Sequence, residues 1–269
     1  MSIKDGRRAR LLCALTVSMI LGTRVYGFPY HAPVSVAVKQ QNIPILLYHH
    51  VRVLPANASW ALRRWTLSPK KFEAQMNWVA AQGFHTISME DLIDHLKHGG
   101  LLPPKPMVLS FDDGLKEHYS VVFPILKKYK FVATFFIITD SVGHSAFMNW
   151  GQILQMSADG MDIQVHTSTH PDLSVLSHEE AYQEIVGSKR ALEKHLNKPV
   201  RILAYPYGYY NEDVIAIAKA AGLEGAATVS GVNDGYLFRA DRSYTLERYA
   251  IEGNENLEYL AHAKGFGPK

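Results

Sequence analysis

Short apolar runs that alternate with helical patterns constrain the fold of this chain more than any other feature of its sequence. The runs at residues 43–48, 107–109 and 132–138 have the apolar or β-branched composition of buried strands. Between such runs, segments such as 89–98 and 178–197 show helical patterns. This alternation over 269 residues predicts one α/β domain with a parallel sheet or a barrel.

Residues that can carry chemistry lie where four of the apolar runs end. They are His49-His50, Asp112-Asp113, His166 with His170, and the turn Tyr205-Pro206-Tyr207-Gly208. In barrels and open α/β sheets, sites form at the carboxyl ends of the strands, so these clusters are expected to converge. Each cluster alone also has a structural interpretation, such as helix capping for the carboxylates or polar loop residues for the histidines.

Two adjacent carboxylates follow the strand pattern in the segment Ser110-Phe111-Asp112-Asp113-Gly114. Two like charges side by side resist full ionisation unless a cation or a hydrogen-bond donor lies between them. A pair of this kind at the end of a buried strand therefore predicts one metal ligand and one base.

His166 and His170 are spaced by four residues and share a face whether the segment is helical or extended. The β-branched Thr167 and Thr169, together with Pro171, favour a strand that passes into a loop. Two imidazoles and one carboxylate make three protein ligands and leave one coordination position open. That is the pattern of a catalytic zinc site.

The remaining two clusters predict a proton donor and an oxyanion contact. A histidine at a strand end, such as His49, can serve as a general acid. In the tyrosine-containing turn, Pro206 restricts the backbone and Gly208 permits a tight turn. A backbone N–H in that turn could face an oxyanion.

The N-terminus has the pattern of an export signal. Three arginines in the first ten residues precede an apolar run, Leu11 to Leu21, that is short for a membrane span. A small-residue cleavage site lies near residues 25–27. We predict a signal peptide over 1–27, a leader over 28–42 and export to the periplasm, cell envelope or medium; an uncleaved anchor is the alternative.

Removal of this signal changes the charge of the chain. The sequence has 28 basic and 25 acidic residues, and residues 1–27 hold five basic and one acidic, which leaves 23 and 24. The positive balance belongs to the signal, so no nucleic-acid partner is expected. The single cysteine, Cys13, also lies in the signal, so any metal must be held by His, Asp or Glu.

Three motifs, in their order along the chain, resemble those of the polysaccharide deacetylase family, also called the NodB-homology domain or carbohydrate esterase family 4. They are Ser110-Phe111-Asp112-Asp113-Gly114, His166-Thr167-Ser168-Thr169-His170 and Tyr205-Pro206-Tyr207-Gly208. The resemblance covers about residues 43–251. It implies an α/β fold, a distorted (β/α) barrel in a single domain over 43–252, followed by a C-terminal tail over 253–269.

The resemblance also implies a role for each motif residue. Asp112 would be the general base, and Asp113, His166 and His170 would be the metal ligands. The backbone N–H of Tyr207 would form part of the oxyanion hole. The implied cofactor is a divalent metal, with Zn²⁺ expected and Co²⁺ or Ni²⁺ as alternatives.

The chain departs from the family pattern in two places. Better-known members carry an arginine two residues before the motif proline, where this chain has Ala204, so either another group orients Asp112 or the basicity of Asp112 differs. Many members supply the acid from a Leu-x-His strand near the C-terminus. Here Tyr48-His49 precedes the carboxylate pair, as in the permuted branch that deacetylates poly-β-1,6-N-acetylglucosamine. We therefore predict His49 as the acid, with His262 as the alternative.

The implied activity is removal of acetyl groups from N-acetylglucosamine units of an extracellular or envelope polysaccharide, with poly-β-1,6-N-acetylglucosamine as the expected polymer. That polymer is the expected partner, association with the envelope is a further expectation, and the sequence does not determine the oligomeric state. Peptidoglycan or chitin as substrate, another acyl group, and a non-catalytic carbohydrate-binding relative are alternatives. Trp150, Tyr205 and Tyr209 are candidate rings for stacking on sugars.

Overall fold

The computed structural model describes residues 43–229 and 243–267, all within one compact unit. The predicted signal peptide and leader lie outside the described residues. Among the helices described, none is long and apolar enough to cross a membrane.

Seven parallel strands close into a ring because the first of them pairs on both of its sides. The strands of the ring are β1 (Ile45–Tyr48), β5 (Pro106–Phe111), β6 (Thr134–Ile137), β7 (Asp162–Val165), β8 (Ile202–Ala204), β9 (Gly225–Val229) and β10 (Leu246–Ala250). Strand β1 pairs with both β10 and β5. The fold is thus a closed parallel barrel, which confirms the predicted (β/α) barrel.

Three further strands accompany the ring in the described residues. They are β2 (His50–Val51), β3 (Thr66–Leu67) and β4 (His85–Ile87). Strand β4 pairs with the first half of β5, whereas β1 pairs with its second half. Among the strands that the structure describes, β2 and β3 pair only with each other, just beyond the carboxyl end of β1.

Eight α-helices accompany the strands in the described part of the chain. They are α1 (Trp60–Arg64), α2 (Pro69–Ala81), α3 (Met89–His98), α4 (Phe123–Tyr129), α5 (Trp150–Ala158), α6 (His178–Leu196), α7 (Glu212–Ala220) and α8 (Leu257–Ala263). Helix α3 has the predicted bounds: the Ser88 side chain caps its first turn, and Gly99 ends it in the left-handed region. The helical segment after the carboxylate pair has two parts, because a π-helical turn at His118–Val122 directly precedes α4.

The inner face of the barrel changes from apolar to polar along the strands. Ile45, Val108, Phe136, Ala204 and other residues from several strands form one inner cluster, together with residues of α3. Because side chains alternate along a strand, residues two or four positions after these point the same way. The polar inner residues near the carboxyl ends are Ser110, Asp112, His166 and Arg248, all of which are buried.

The segment after β10, which the sequence pattern describes as a tail, contains helix α8. Its residues Leu257 and Ala261 are buried and contribute to packing. The helix has only seven residues, so its periodicity is too short to stand out in the sequence.

Candidate active site

The two adjacent carboxylates occupy different environments at the end of β5. Asp112 is buried at 2% exposure and belongs to the inner face of the barrel. Asp113 and Gly114 both have positive φ angles, 77° and 73°, so the backbone turns sharply at this point. On a regular strand, consecutive side chains point to opposite faces. The turn instead lets both carboxylates approach His166, whose Nε2 lies 3.8 Å from Asp112 and 3.6 Å from Asp113.

Asp113, His166 and His170 meet as a cluster of ligand atoms. Oδ1 of Asp113 lies 3.6 Å from Nε2 of His166 and 3.7 Å from Nε2 of His170. Tetrahedral zinc ligands lie about 2.0–2.2 Å from the ion and hence roughly 3.4 Å from one another. These two separations are close to that value, and all three ligand atoms lie within 4.8 Å of one another, so the cluster could hold one ion.

The orientation of His166 is set by a hydrogen bond on its other ring nitrogen. Nδ1 lies 2.8 Å from the carbonyl oxygen of Ala204, to which an Nδ1–H donates. This bond leaves the Nε2 lone pair facing Asp113, as is usual for histidines that bind metals. Ala204, which replaces the expected arginine, thus takes part in the site through its backbone.

The loop between the two histidines is held by a single carboxylate on α6. Glu184 accepts hydrogen bonds from the backbone N–H groups of Ser168 and Thr169, both at 2.9 Å, and from the Thr169 hydroxyl at 2.7 Å. Within this loop, Thr167 and His170 have positive φ angles of 64° and 67°. Such conformations persist only where surrounding contacts determine them, and Glu184 supplies such contacts.

Charge separates the two carboxylates further. Burial, and then the neighbouring charge of Asp112, raises the pKa of Asp113 to about 7. Burial alone would also raise the pKa of Asp112. The charge and hydrogen bonds of Arg248, aided by His166, more than offset this and hold the pKa of Asp112 well below its usual range.

Arg248, on β10, is the functional residue that the sequence interpretation missed. Its Nη1 donates to Oδ1 of Asp112 at 2.7 Å and its Nη2 to Oδ2 at 2.8 Å, in a two-pronged geometry. The guanidinium is fully buried and lies 5.2 Å from the ring centroid of Phe136. It is the group that orients Asp112 in place of an arginine at position 204. The sequence signal that could have revealed Arg248 is a basic residue within a short strand pattern.

His49 lies just beyond β1, close enough to Asp112, Arg248 and His166 for their charges to shift its pKa. Its ring centroid is 4.8 Å from that of Trp65, and its Nδ1 is buried without a hydrogen-bond partner among the described residues. Burial, partly offset by the charge of Asp112, lowers the pKa of His49 to about 4.

The backbone of His49 is anchored by His118, which is fully buried between aromatic rings. The Nε2–H of His118 donates to the carbonyl oxygen of His49 at 2.8 Å. His118 begins the π-helical turn before α4, and turns of this rare kind are frequent at functional sites. The predicted acid therefore has a fixed backbone position.

Tyr207, the predicted oxyanion contact, lies in a turn with a strained backbone. Its φ is 58°, and its ring lies 4.7 Å from that of His170, which places the residue beside the ligand cluster. The next residue, Gly208, has φ 81°, and an added Cβ would lie 2.8 Å from the backbone nitrogen of Val229. Only glycine fits there, so the turn is determined by close packing against β9.

The candidate sugar-stacking rings differ in their exposure. Tyr209 is 58% exposed, whereas Tyr205 is fully buried and donates its hydroxyl to the Tyr244 carbonyl. Trp150 lies face to face with His195, with 3.7 Å between the ring centroids. Of the three candidates, Tyr205 is therefore wrong as a sugar platform and Tyr209 retains an accessible ring.

The structure brings the predicted residues together at the carboxyl ends of the strands, with one exception among the alternatives. His262, the second candidate acid, lies on the exposed surface of α8. His49 instead shares the charge environment of Asp112. The described geometry favours His49.

Comparison with known proteins identifies sequence relatives of this chain. The family model described as polysaccharide deacetylase matches residues 100–226. Poly-beta-1,6-N-acetyl-D-glucosamine N-deacetylase from Staphylococcus aureus (strain N315) is 28% identical over 272 residues, which covers 93% of this chain and 88% of that protein.

Solved structures show the same fold. The Streptococcus pyogenes deacetylase PplD, in complex with acetate, superposes with a TM-score of 0.75 and 32% identity, covering 83% of this chain and 98% of that one. IcaB from Ammonifex degensii has a TM-score of 0.71 and 23% identity over 84% of this chain and 97% of that one. The second likeness concerns the fold alone.

Proposed function

Because the chain belongs to the polysaccharide deacetylase family, hydrolases that act on N-acetyl amide bonds, we propose that it is a metal-dependent N-deacetylase. The substrate proposed is an extracellular or envelope polysaccharide built from N-acetylglucosamine. One observation carries this proposal: a three-ligand cluster, Asp113 with His166 and His170, adjoins a buried carboxylate held by Arg248. The cluster has the ligands to bind a metal ion, and the carboxylate is placed to act as the general base.

The donor set fits Zn²⁺, with Co²⁺ or Ni²⁺ as alternatives. Two neutral imidazoles and a carboxylate are ligands that these metals accept, and three protein ligands leave a position open. When bound, such an ion would polarise the acetyl carbonyl and make water more acidic. It would also neutralise Asp113, whose pKa of about 7 in its absence reflects burial beside a second carboxylate.

Each remaining residue has a role in moving protons or stabilising charge. Asp112 would accept a proton from the attacking water while the water oxygen bonds to the acetyl carbon. The backbone N–H of Tyr207 would donate to the carbonyl oxygen as that oxygen becomes negative. His49 would give a proton to the nitrogen as the C–N bond breaks. The products are acetate and a glucosamine unit.

The electrostatic position of His49 accords with a proton donor that is charged only during the reaction. In the free protein, burial keeps this imidazole neutral near pH 7. Negative charge that develops on the substrate oxygen would favour the protonated form, because an opposite charge nearby raises the pKa of histidine. The proton that His49 takes up would be the one that Asp112 accepts from the attacking water, so the proton given to the nitrogen is accounted for.

The Staphylococcus aureus relative supports poly-β-1,6-N-acetylglucosamine as the polymer, since its name specifies that substrate and the match covers 93% of this chain. The signal pattern of residues 1–27 supports export to the periplasm, the envelope or the medium. The order of the motifs, with Tyr48-His49 before the carboxylate pair, supports the same branch.

Acetate release from defined oligomers tests the proposal. We expect activity on acetylated β-1,6-linked glucosamine oligomers, its loss after chelation, and its recovery with zinc, cobalt or nickel. Faster release from β-1,4-linked oligomers or peptidoglycan fragments would identify one of those polymers as the substrate instead. Release that a chelator leaves unchanged, after metal analysis shows removal of the ion, would refute metal dependence. No acetate release from any of them would favour a carbohydrate-binding role.

The base is tested by Asp112→Asn, which is nearly isosteric but cannot accept the proton. We expect the variant to bind one equivalent of zinc, as measured by metal analysis, and to lose turnover by about 100-fold or more. Wild-type turnover in this variant would show that another group is the base.

A further inference from the structure

A cavity of about 340 Å³ lies between α1 and the turn after β10. Residues that line it include Leu54, Trp60 and Arg64 on one side and Glu252 and Asn254 on the other. Its volume is within the range of small-molecule sites, and its lining combines an apolar ring with charged and amide groups. None of these residues has a part in the deacetylation chemistry above.

Backbone and side-chain contacts hold the two walls of this cavity together. Arg64 donates to the Glu252 carboxylate from both Nε and Nη2, at 2.8 and 2.7 Å. The Gly253 N–H donates to the Arg64 carbonyl at 2.7 Å, and Lys71 donates to the Gly253 carbonyl at 2.9 Å. An added Cβ at Gly253 would collide with backbone carbonyls of the facing segment. The cavity is therefore a built feature of this surface.

Trp60 is 73% exposed, and α1 has no buried residue, so neither the ring nor its helix serves the core. The preceding loop is nevertheless anchored, because Arg63 donates to the carbonyls of Ala56 at 2.7 Å and Ala58 at 3.0 Å. The Arg64 guanidinium lies 5.5 Å from the Trp60 ring centroid. A large exposed ring that is held in place without packing inward is typical of binding surfaces.

A continuous series of contacts links this cavity to the predicted acid. The same Arg64 guanidinium lies 5.0 Å from the ring of Trp65, and Trp65 packs 4.8 Å from the ring of His49. Trp60, Arg64 and Trp65 therefore form one surface that begins at the residue proposed to protonate the sugar nitrogen.

We propose that this surface is a subsite for a neighbouring sugar of the polymer, with Trp60 as its stacking platform. The inference rests on the proposed function, because its occupant is another unit of the substrate bound at Asp112. A pyranose ring offers an apolar C–H face to an indole and hydroxyl groups to Glu252 and Asn254. Continuity with His49 selects a sugar of the same polymer as the occupant.

The subsite predicts a dependence on substrate length. For zinc-loaded Trp60→Ala, we expect KM to rise about three- to tenfold for long acetylated oligomers, with kcat unchanged. The shortest substrate that the wild type accepts should keep its KM, and Trp60→Phe should recover most of the affinity. Tyr259→Ala, which removes an equally exposed ring from α8, is the matched control and should match wild type.

Oligomer binding to the Asp112→Asn protein separates this proposal from the deacetylase proposal. If the wild type lacks activity but Trp60→Ala in the Asp112→Asn background weakens oligomer binding, the subsite is supported and the deacetylase proposal is refuted. If the wild type is active and Trp60→Ala leaves KM unchanged at every oligomer length, the deacetylase proposal is supported and the subsite is refuted. Weaker binding of Trp60→Ala to phosphatidylglycerol vesicles, with oligomer KM unchanged, would identify a membrane contact and overturn the subsite.

Discussion

Arg248 donates hydrogen bonds to both carboxylate oxygens of Asp112, at 2.7 and 2.8 Å, although the two residues are 136 positions apart in the chain. The pair exists because β1 lies between β10 and β5 in the closed ring. Both groups are buried, so neither is screened by solvent. Arg248 therefore determines both the orientation and the charge of the proposed base.

Arg248→Lys should lower kcat about 10- to 100-fold, because lysine keeps the charge but cannot make two parallel hydrogen bonds to one carboxylate. Steady-state kinetics on the preferred oligomer measure the effect, and metal analysis checks that the zinc content is unchanged. Arg201→Lys is the matched control, since Arg201 forms a similar forked pair with Glu224 before β8. An unchanged kcat in Arg248→Lys would remove its positioning role.

His49→Ala should lower kcat about 100-fold or more, whereas His262→Ala should leave it unchanged. The physical reason is position: His49 shares the charge environment of Asp112, and His262 lies on an exposed helix face. The two variants are compared in the same assay, with folding checked by circular dichroism. A greater loss at His262 would transfer the acid role to that residue.

Glu184→Gln should weaken zinc binding about 10- to 100-fold, because an amide cannot accept all three hydrogen bonds from the loop between the ligand histidines. Competition with a chromogenic chelator measures affinity without reference to activity. Glu179→Gln is the control on the same helix, where the carboxylate contacts Gln183 instead. Equal zinc affinity in both variants would show that α6 does not position His170.

Asp162→Asn should remove part of the pH dependence of stability. Burial, and then the charge of Glu90, raises the pKa of Asp162 to about 7, although hydrogen bonds from Gln164 and Thr134 and the charge of Lys198 oppose the shift. The folded state therefore holds this proton more tightly than the unfolded chain does. The stabilisation is complete below about pH 4 and is lost as the pH rises through about 7.

An asparagine stays neutral and can keep the contacts to Thr134 and Gln164. We therefore expect the free energy of unfolding of Asp162→Asn to exceed that of wild type by about 1–4 kcal/mol at pH 8, and to converge with it at pH 4. Urea unfolding across this range measures the difference. Asp159→Asn, at a surface ion pair, should show no such trend. Parallel curves for Asp162→Asn and wild type would contradict the buried-acid explanation.

Local sequence patterns predicted those site residues that occur in compact motifs. Asp112 and Asp113 end an apolar run, and His166 and His170 follow another, so their place at strand ends could be inferred without coordinates. Arg248 could not be found in this way. It belongs to a five-residue strand, and nothing nearby in the sequence indicates its distant partner.

The same distinction applies to the surroundings of His49. Its position after an apolar run is visible in the sequence, but its contact with Trp65 requires the pairing of β2 with β3. Helix α1, which carries Trp60, has five residues and no buried side chain. Such a helix leaves no hydrophobic periodicity from which to predict it.

The sequence by itself determined the alternation of strands and helices, and it placed the carboxylates and histidines of the motifs at strand ends. These are consequences of apolar periodicity and local backbone preference, which act over a few residues. The tertiary structure decided which charges meet. Closure of the ring brought Arg248 to Asp112, and packing of α6 brought Glu184 to the loop before His170. Contacts between segments far apart in the chain depend on the whole fold, so only the assembled barrel determines them.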